Sequence, residues 1–200
     1  MAIKLATAPQ ESLNALRSKV ETWQAQPATS PAAAHIGLNF AAEAGVDVRL
    51  PHPVYDVSLS DLAAGKGLAN AHVTAWRYLL NDGEMTAMAE VTAPKDAKPH
   101  TLSMLNRGPF IPSLVQAVDA AEKDTSLGGD YEVATLNIPG LYVVALWLRS
   151  QAPGQSVVIP LEPAPPQLTA GKKYTEAEFA AALAPAAKQV LGASGPALAG

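Results

Sequence analysis

The best candidate for acid–base chemistry in this sequence is His52, which lies between Pro51 and Pro53. The two prolines restrict the backbone around His52, because each fixes its own φ and limits the residue before it. Asp56 follows four residues later. An imidazole oriented by a carboxylate is the smallest unit of general acid–base catalysis, so this pair is a candidate catalytic site. The same residues also fit an exposed turn histidine without a chemical role.

Three other polar residues are candidates for catalysis or ligand binding. His72 lies at the end of a predicted apolar hairpin face, where it is either a catalytic residue or a rim residue with one hydrogen bond. Asn106 and Arg107 precede a predicted helix, and an arginine beside a helix N-terminus can hold an anion. Turns with this Asn-Arg-Gly-Pro sequence also form without any ligand.

The sequence lacks the common motifs for metals, nucleotides and nucleophilic catalysis. No two of the four histidines have the spacing that places two ligands on one helix face, so no metal is predicted. There is no cysteine and no Gly-x-Ser-x-Gly motif. The Gly65-Lys66-Gly67 stretch lacks the preceding strand and the third glycine of a dinucleotide-binding turn. We therefore expect no cofactor.

Composition and charge narrow the choice of partners. The net charge is −4 and the 14 Lys and Arg residues are scattered, whereas nucleic-acid binding requires a basic face, so no nucleic acid is expected. Charged residues make up only 16% of the chain, against about 25% in typical soluble domains. Either a protein partner or a second copy covers part of the surface, or the composition is simply rich in alanine.

The sequence predicts a cytoplasmic protein without a membrane segment. The longest apolar run, Ile138 to Leu148, is much shorter than the roughly 20 residues that a membrane-spanning helix needs. The residues from Met1 to Ala6 are too weakly apolar for a secretion signal. A mature exported protein whose signal has been removed is the alternative.

Periodicity predicts helices at 9–24, 112–124 and 175–190. A capping box is predicted at Thr7 and Gln10 for the first helix and at Thr175 and Glu178 for the last. In the last helix, a staple between Tyr174 and Phe179 supports the same start.

A β-hairpin at 71–92 is the most secure strand prediction. Asp82-Gly83 is typical of a two-residue turn, which would place Leu80 opposite Met85 and Tyr78 opposite Ala87. Large residues on one strand would then face small residues on the other. Arg77 would lie on the opposite face, with Glu90 diagonally within reach.

The remaining segments complete the predicted architecture. Residues 139–150 are apolar in every direction, and periodicity does not distinguish a buried strand from a buried helix there. We expect one α+β domain over residues 1–191, with an antiparallel or mixed sheet of five to seven strands. Residues 25–34 are predicted to be a linker and 192–200 a flexible tail.

Two functional hypotheses follow from these residues. The first is a non-catalytic protein that acts through contact with another protein or with its own copies. The second is a small enzyme or small-ligand binder with a cleft beside the sheet, and its candidate residues are His52, Asp56, His72, Asn106 and Arg107.

Overall fold

The structure, a computed structural model, describes residues 2–25, 46–83, 86–94 and 99–193. Within these residues the helices are α1 (Gln10–Gln24), α2 (Leu59–Ala63), α3 (Phe110–Lys123) and α4 (Glu176–Ala193). The strands are β1 (Ala2–Leu5), β2 (Asp47–Asp56), β3 (His72–Asn81), β4 (Thr86–Thr92), β5 (Leu102–Asn106), β6 (Asp130–Ile138), β7 (Val143–Ser150), β8 (Val157–Pro160) and β9 (Tyr174–Thr175). The predicted α+β class with a mixed sheet is confirmed, with nine described strands instead of five to seven.

The chain divides into two compact units. The hairpin unit contains residues 5–54 and 73–111, and the helix-flanked unit contains residues 1–4, 55–72 and 112–200. That residues 1–191 are one domain stays a prediction. The predicted linker at 25–34 lies outside the described residues except for Ala25, and so does the predicted tail except for its first two residues, which belong to α4.

In the hairpin unit the strand order is β5-β4-β3-β2, and α1 covers one face. Leu16 and Val20 of α1 pack against Tyr78 and Leu80 of β3. The buried Tyr78 hydroxyl donates a hydrogen bond to Ser12 Oγ at 2.8 Å, so this phenol has a polar partner inside an apolar layer.

The predicted register of the β3–β4 hairpin is wrong by two residues. Tyr78 lies opposite Ala89, and Leu80 lies opposite Ala87. Asn81 pairs with Thr86, so residues 82–85 form a four-residue connection instead of a two-residue turn. The side chain of Asn81 explains this longer loop, because its Oδ1 accepts from Gly83 N and its Nδ2 donates to Thr86 Oγ1. Asparagine frequently closes loops through such local bonds.

The predicted face of each hairpin residue is nevertheless correct. Successive side chains of a strand alternate between faces, so a shift of two residues leaves every side chain on its own face. Large residues therefore still meet small ones, as Tyr78 does with Ala89. Arg77 lies directly opposite Glu90 rather than diagonal to it.

In the helix-flanked unit the order is β6-β7-β8-β9, and β1 also pairs with β6. The open question about residues 139–150 is resolved in favour of a strand. All eight residues of β7 pair antiparallel with β6, from Val143 opposite Ile138 to Ser150 opposite Tyr131. Pro139 to Leu141 form a single 3-10 turn instead of a helix start. One apolar core lies between these strands and the helices α2 and α4, with Phe179 and Leu183 fully buried.

The capping box of the last helix is confirmed, and that of the first helix is wrong. Glu178 N donates to Thr175 Oγ1 at 3.2 Å, and Thr175 N donates to Glu178 Oε2 at 2.9 Å. The rings of Tyr174 and Phe179 meet edge to face, as the predicted staple requires. In α1, by contrast, Pro9 is the N-cap residue and no side chain caps the helix. Thr7 lies two residues before this N-cap residue, which is not the position from which a side chain caps a helix.

We predict that Thr175→Ala lowers the free energy of unfolding by about 1 kcal/mol, because the first turn of α4 loses its side-chain acceptor. Thr175→Ser retains the hydroxyl and is the matched control, with stability close to that of the wild type. Urea unfolding followed by circular dichroism measures both. Equal stability of the alanine and serine variants would contradict a capping role.

Candidate functional site

His52 is fully buried in β2 of the hairpin unit. Its Nδ1–H donates to the Leu50 carbonyl at 2.7 Å, because a carbonyl can only accept. Burial, with a smaller contribution from the positive charge of Arg77, lowers the His52 pKa from 6.5 to about 4. The ring is therefore a neutral imidazole inside the unit and not the exposed turn histidine of the alternative interpretation.

Asp56 and His72 have other surroundings. Asp56 Oδ1 accepts a hydrogen bond from Asn137 Nδ2 at 3.1 Å. Four residues of extended strand span roughly 13 Å, so the side chains of His52 and Asp56 are too far apart for a direct hydrogen bond. His72 is the exposed first residue of β3. The catalytic role of these three residues stays a prediction.

Asn106 is the last residue of β5, and Arg107 follows it before the start of α3. Arg107 is exposed, and Asn106 Nδ2 donates to Met104 Sδ at 2.8 Å. The Asn106 Oδ1 atom is buried and has no hydrogen-bond partner among the described residues. Because an amide oxygen is an acceptor, it does not supply the donor groups that an anion requires.

Arg77 and Glu90 form a buried ion pair on the second face of the β3–β4 hairpin. Arg77 Nη2 lies 2.7 Å from Glu90 Oε2, and Arg77 Nε lies 3.2 Å from the same atom. The guanidinium is buried, so the carboxylate compensates a charge that would be costly to leave unpaired. The pair fixes this face rather than offering a binding group.

A second polar cluster, which the sequence did not reveal, surrounds Arg149 in the helix-flanked unit. Its guanidinium carbon lies 4.5 Å from the ring centroid of Tyr55 and 5.0 Å from that of Trp147. Arg149 also donates to the Tyr55 hydroxyl and lies 3.6 Å from Glu132, and Trp147 Nε1 donates to Glu176 Oε1. Side chains alternate along a strand, so Trp147 and Arg149 lie on one face of β7. The sequence alone did not reveal this, because residues 139–150 could be either a strand or a helix. These contacts hold the polar groups of the cluster against two aromatic rings that belong to the apolar core or pack on it.

The most unusual surface residue is Tyr142, which ends the 3-10 turn before β7. Its side chain is 87% exposed, although its neighbour Val143 is buried. Its φ and ψ of 53° and 36° lie in the left-handed region, which costs about 1–2 kcal/mol for a residue with a side chain. Such strain persists only where the surroundings impose it, and it is common at functional sites.

Residues 139–142, called the Tyr142 loop from here on, are held rigidly. Tyr142 N donates to the Pro139 carbonyl at 3.1 Å. Gly140 lies so close to α2 that an added Cβ would be 2.6 Å from Leu59 Cδ1 and 2.9 Å from Leu59 Cγ. The backbone of the Tyr142 loop is therefore constrained by its internal hydrogen bond and by its close approach to α2.

A cleft of about 320 Å³ lies in the same unit, between α3 and the end of β8. Its helix wall consists of Ser113, Gln116, Ala117 and Ala120, whose spacing places them on one face of α3. The space is open because Ala117 and Ala120 have small side chains. Ser113 Oγ accepts a hydrogen bond from Glu162 N at 2.8 Å, which links the helix wall to the opposite wall. The opposite wall is lined by Ile159, Pro160, Glu162, Ala170 and Gly171. We call this space the α3–β8 cleft.

No group of three metal-ligating side chains occurs among residues 2–25, 46–83, 86–94 and 99–193. In the same part of the chain no helix is long and apolar enough to cross a membrane. No protein-family model, no curated protein and no solved structure matches this chain.

We predict that the burial of His52 makes the protein acid-sensitive. The unfolded chain takes up a proton on His52 below pH 6.5, whereas the folded chain does so only near pH 4, so stability falls as the pH drops between these values. Between about pH 7 and pH 5 the loss from this residue is about 2 kcal/mol. Urea unfolding of wild type and of His52→Gln at both pH values measures the loss. An equal loss in both proteins would contradict the assignment to His52.

We predict that Gly140→Ala destabilises the helix-flanked unit by about 1–3 kcal/mol, because the new methyl group overlaps Leu59. Gly128→Ala is the matched control, since no atom lies within 4 Å of its added Cβ. Adding Leu59→Ala should make Gly140→Ala much less costly, and this coupling identifies the contact. Thermal unfolding of the single and double variants provides the comparison, and strictly additive effects would contradict it.

Proposed function

We propose that this chain is a non-catalytic protein that acts through contact between protein chains, its own copies included, and that the Tyr142 loop is the contact. The observation that supports the proposal is a tyrosine that is 87% exposed on a strained but rigid turn. Tyrosine is enriched among the few interface residues that carry most of the binding energy.

A single exposed tyrosine can contribute a large buried area to a contact between proteins. An aromatic side chain buries roughly 150–250 Å² when a partner covers it. The other large apolar residues that are exposed in the described chain, Leu5, Met104, Val115 and Leu191, are each less than half exposed.

The alternative of a small enzyme or ligand binder receives no support from the residues named for it. His52 is buried, Asp56 is bonded to Asn137, and His72 is exposed at a strand end. The proposed partners are proteins rather than nucleic acid, because the net charge of the chain is −4. The proposal also includes the cytoplasmic location expected from the sequence.

We predict that the purified protein self-associates at micromolar concentration and that Tyr142→Gly abolishes the association. Glycine adopts the left-handed conformation without strain, so this variant should be as stable as the wild type or more stable by up to about 1 kcal/mol. Loss of association then cannot be attributed to unfolding. Sedimentation velocity measures the mass, and thermal unfolding measures the stability.

The matched control is Leu191→Ala, which removes an exposed apolar side chain from α4 and should leave the association unchanged. A wild-type protein that remains a monomer at high micromolar concentration would overturn self-association and leave only contact with a different protein. The proposed role of Tyr142 would be overturned if Tyr142→Gly associated as strongly as the wild type.

A further inference from the structure

The α3–β8 cleft has the size of a small-ligand site. Its volume of about 320 Å³ lies at the lower end of the roughly 300–1,000 Å³ that is typical of such sites. Its walls are joined by the hydrogen bond between Glu162 N and Ser113 Oγ. Gly171 N donates to the Pro160 carbonyl at 2.9 Å, which holds the segment around Gly171 against the end of β8. The lining segments are therefore linked to one another before any ligand binds.

The charge of the cleft is negative. Glu162 is the one ionisable residue among the described residues that line it. Within the described part of the chain, this carboxylate forms no ion pair with a lysine, arginine or histidine. A carboxylate in such surroundings attracts a cation and repels an anion. The net charge of −4 on the whole chain favours the same sign of ligand.

The remaining lining groups indicate which cation fits. Ser113 Oγ accepts one hydrogen bond and has a second lone pair, and Gln116 supplies an amide oxygen. Together with the Glu162 carboxylate, these groups offer three kinds of acceptor, and a primary ammonium has three N–H donors. Ala117 and Ile159 supply apolar surface, which contacts methylene groups without burying a polar group. The cleft thus suits a ligand with an ammonium at one end and an alkyl chain behind it.

We infer that the α3–β8 cleft binds a primary ammonium group on a short alkyl chain. The ammonium is held by Glu162, Ser113 and Gln116, and the chain lies along the apolar surface. A free alkylamine and a lysine side chain of another protein share this chemistry. The inference is independent of the Tyr142 loop, because no residue of that loop is among the described lining residues. Glu162 and Gln116 are exposed, so the ion pair is weak and the expected dissociation constant is millimolar.

The test is a titration of isotope-labelled protein with pentylamine at constant pH, followed by amide NMR. We expect saturable shifts at Gln116, Ala120 and Gly171, which line the cleft. Pentanol has the same chain without the charge, and pentanoate has the opposite charge. Neither compound should produce these shifts at the concentrations at which pentylamine does.

Variants assign the binding to the carboxylate and to the cleft. Glu162→Gln should weaken pentylamine binding by roughly fivefold, because the ion pair is lost. Glu122→Gln makes the same change of charge at an exposed position of α3 outside the cleft, so it is the matched control and should bind like the wild type. Ala117→Leu fills the cleft and should abolish binding. Ala120→Leu fills it from an exposed position and replaces Ala117→Leu if that variant does not fold.

A second ligand distinguishes the two sources of the ammonium. Nα-acetyl-lysine N-methylamide carries the lysine side chain as a protein presents it. Binding of this compound as strong as that of pentylamine indicates a lysine of a partner protein, and binding of pentylamine alone indicates a free amine. An absence of saturable shifts with pentylamine would overturn the inference. Equal binding of pentylamine by the wild type and Glu162→Gln would overturn it as well.

Discussion

The ladder between β6 and β7 is the interaction on which the helix-flanked unit depends. Eight consecutive residue pairs join the strands, from Ile138 opposite Val143 to Tyr131 opposite Ser150. Most side chains of both strands are buried, so each strand supplies half of an apolar layer that neither could form alone. The Tyr142 loop connects the two strands, and its strain is tolerated because the ladder fixes both of its ends.

The same ladder orders the polar groups of this unit. Glu132 and Arg149 are opposite one another in the register, and Trp147 is two residues from Arg149 on the same face. The guanidinium is thus held over two rings instead of being free in solvent. In the hairpin unit the Arg77–Glu90 pair has a corresponding origin, because direct opposition across β3 and β4 brings the charges together. Both charged clusters result from strand pairing rather than from local sequence motifs.

Local signals in the sequence predicted the helices and strands well. Features that depend on contacts between distant residues, such as strand register and burial, were not predicted. The Thr175–Glu178 capping box was predictable because all its partners lie within four residues. The hairpin faces were predictable because alternation has a fixed period. The register was not, because the bonds of Asn81 compete with the Asp82-Gly83 turn and sequence alone does not rank them. Burial of His52 was equally inaccessible, since flanking prolines specify an extended backbone and not what covers it.

The hairpin connection has a consequence for how this chain can change. Because Asn81 pairs with Thr86, the connecting segment has four residues, and a connection two residues shorter would keep every β4 side chain on its present face. A deletion or insertion of a single residue would instead exchange the faces. Ala87 and Ala89 would leave the side of α1, and Met88 and Glu90 would replace them. Variation in the length of this connection is therefore restricted to steps of two, a parity rule that the strand imposes regardless of the loop sequence.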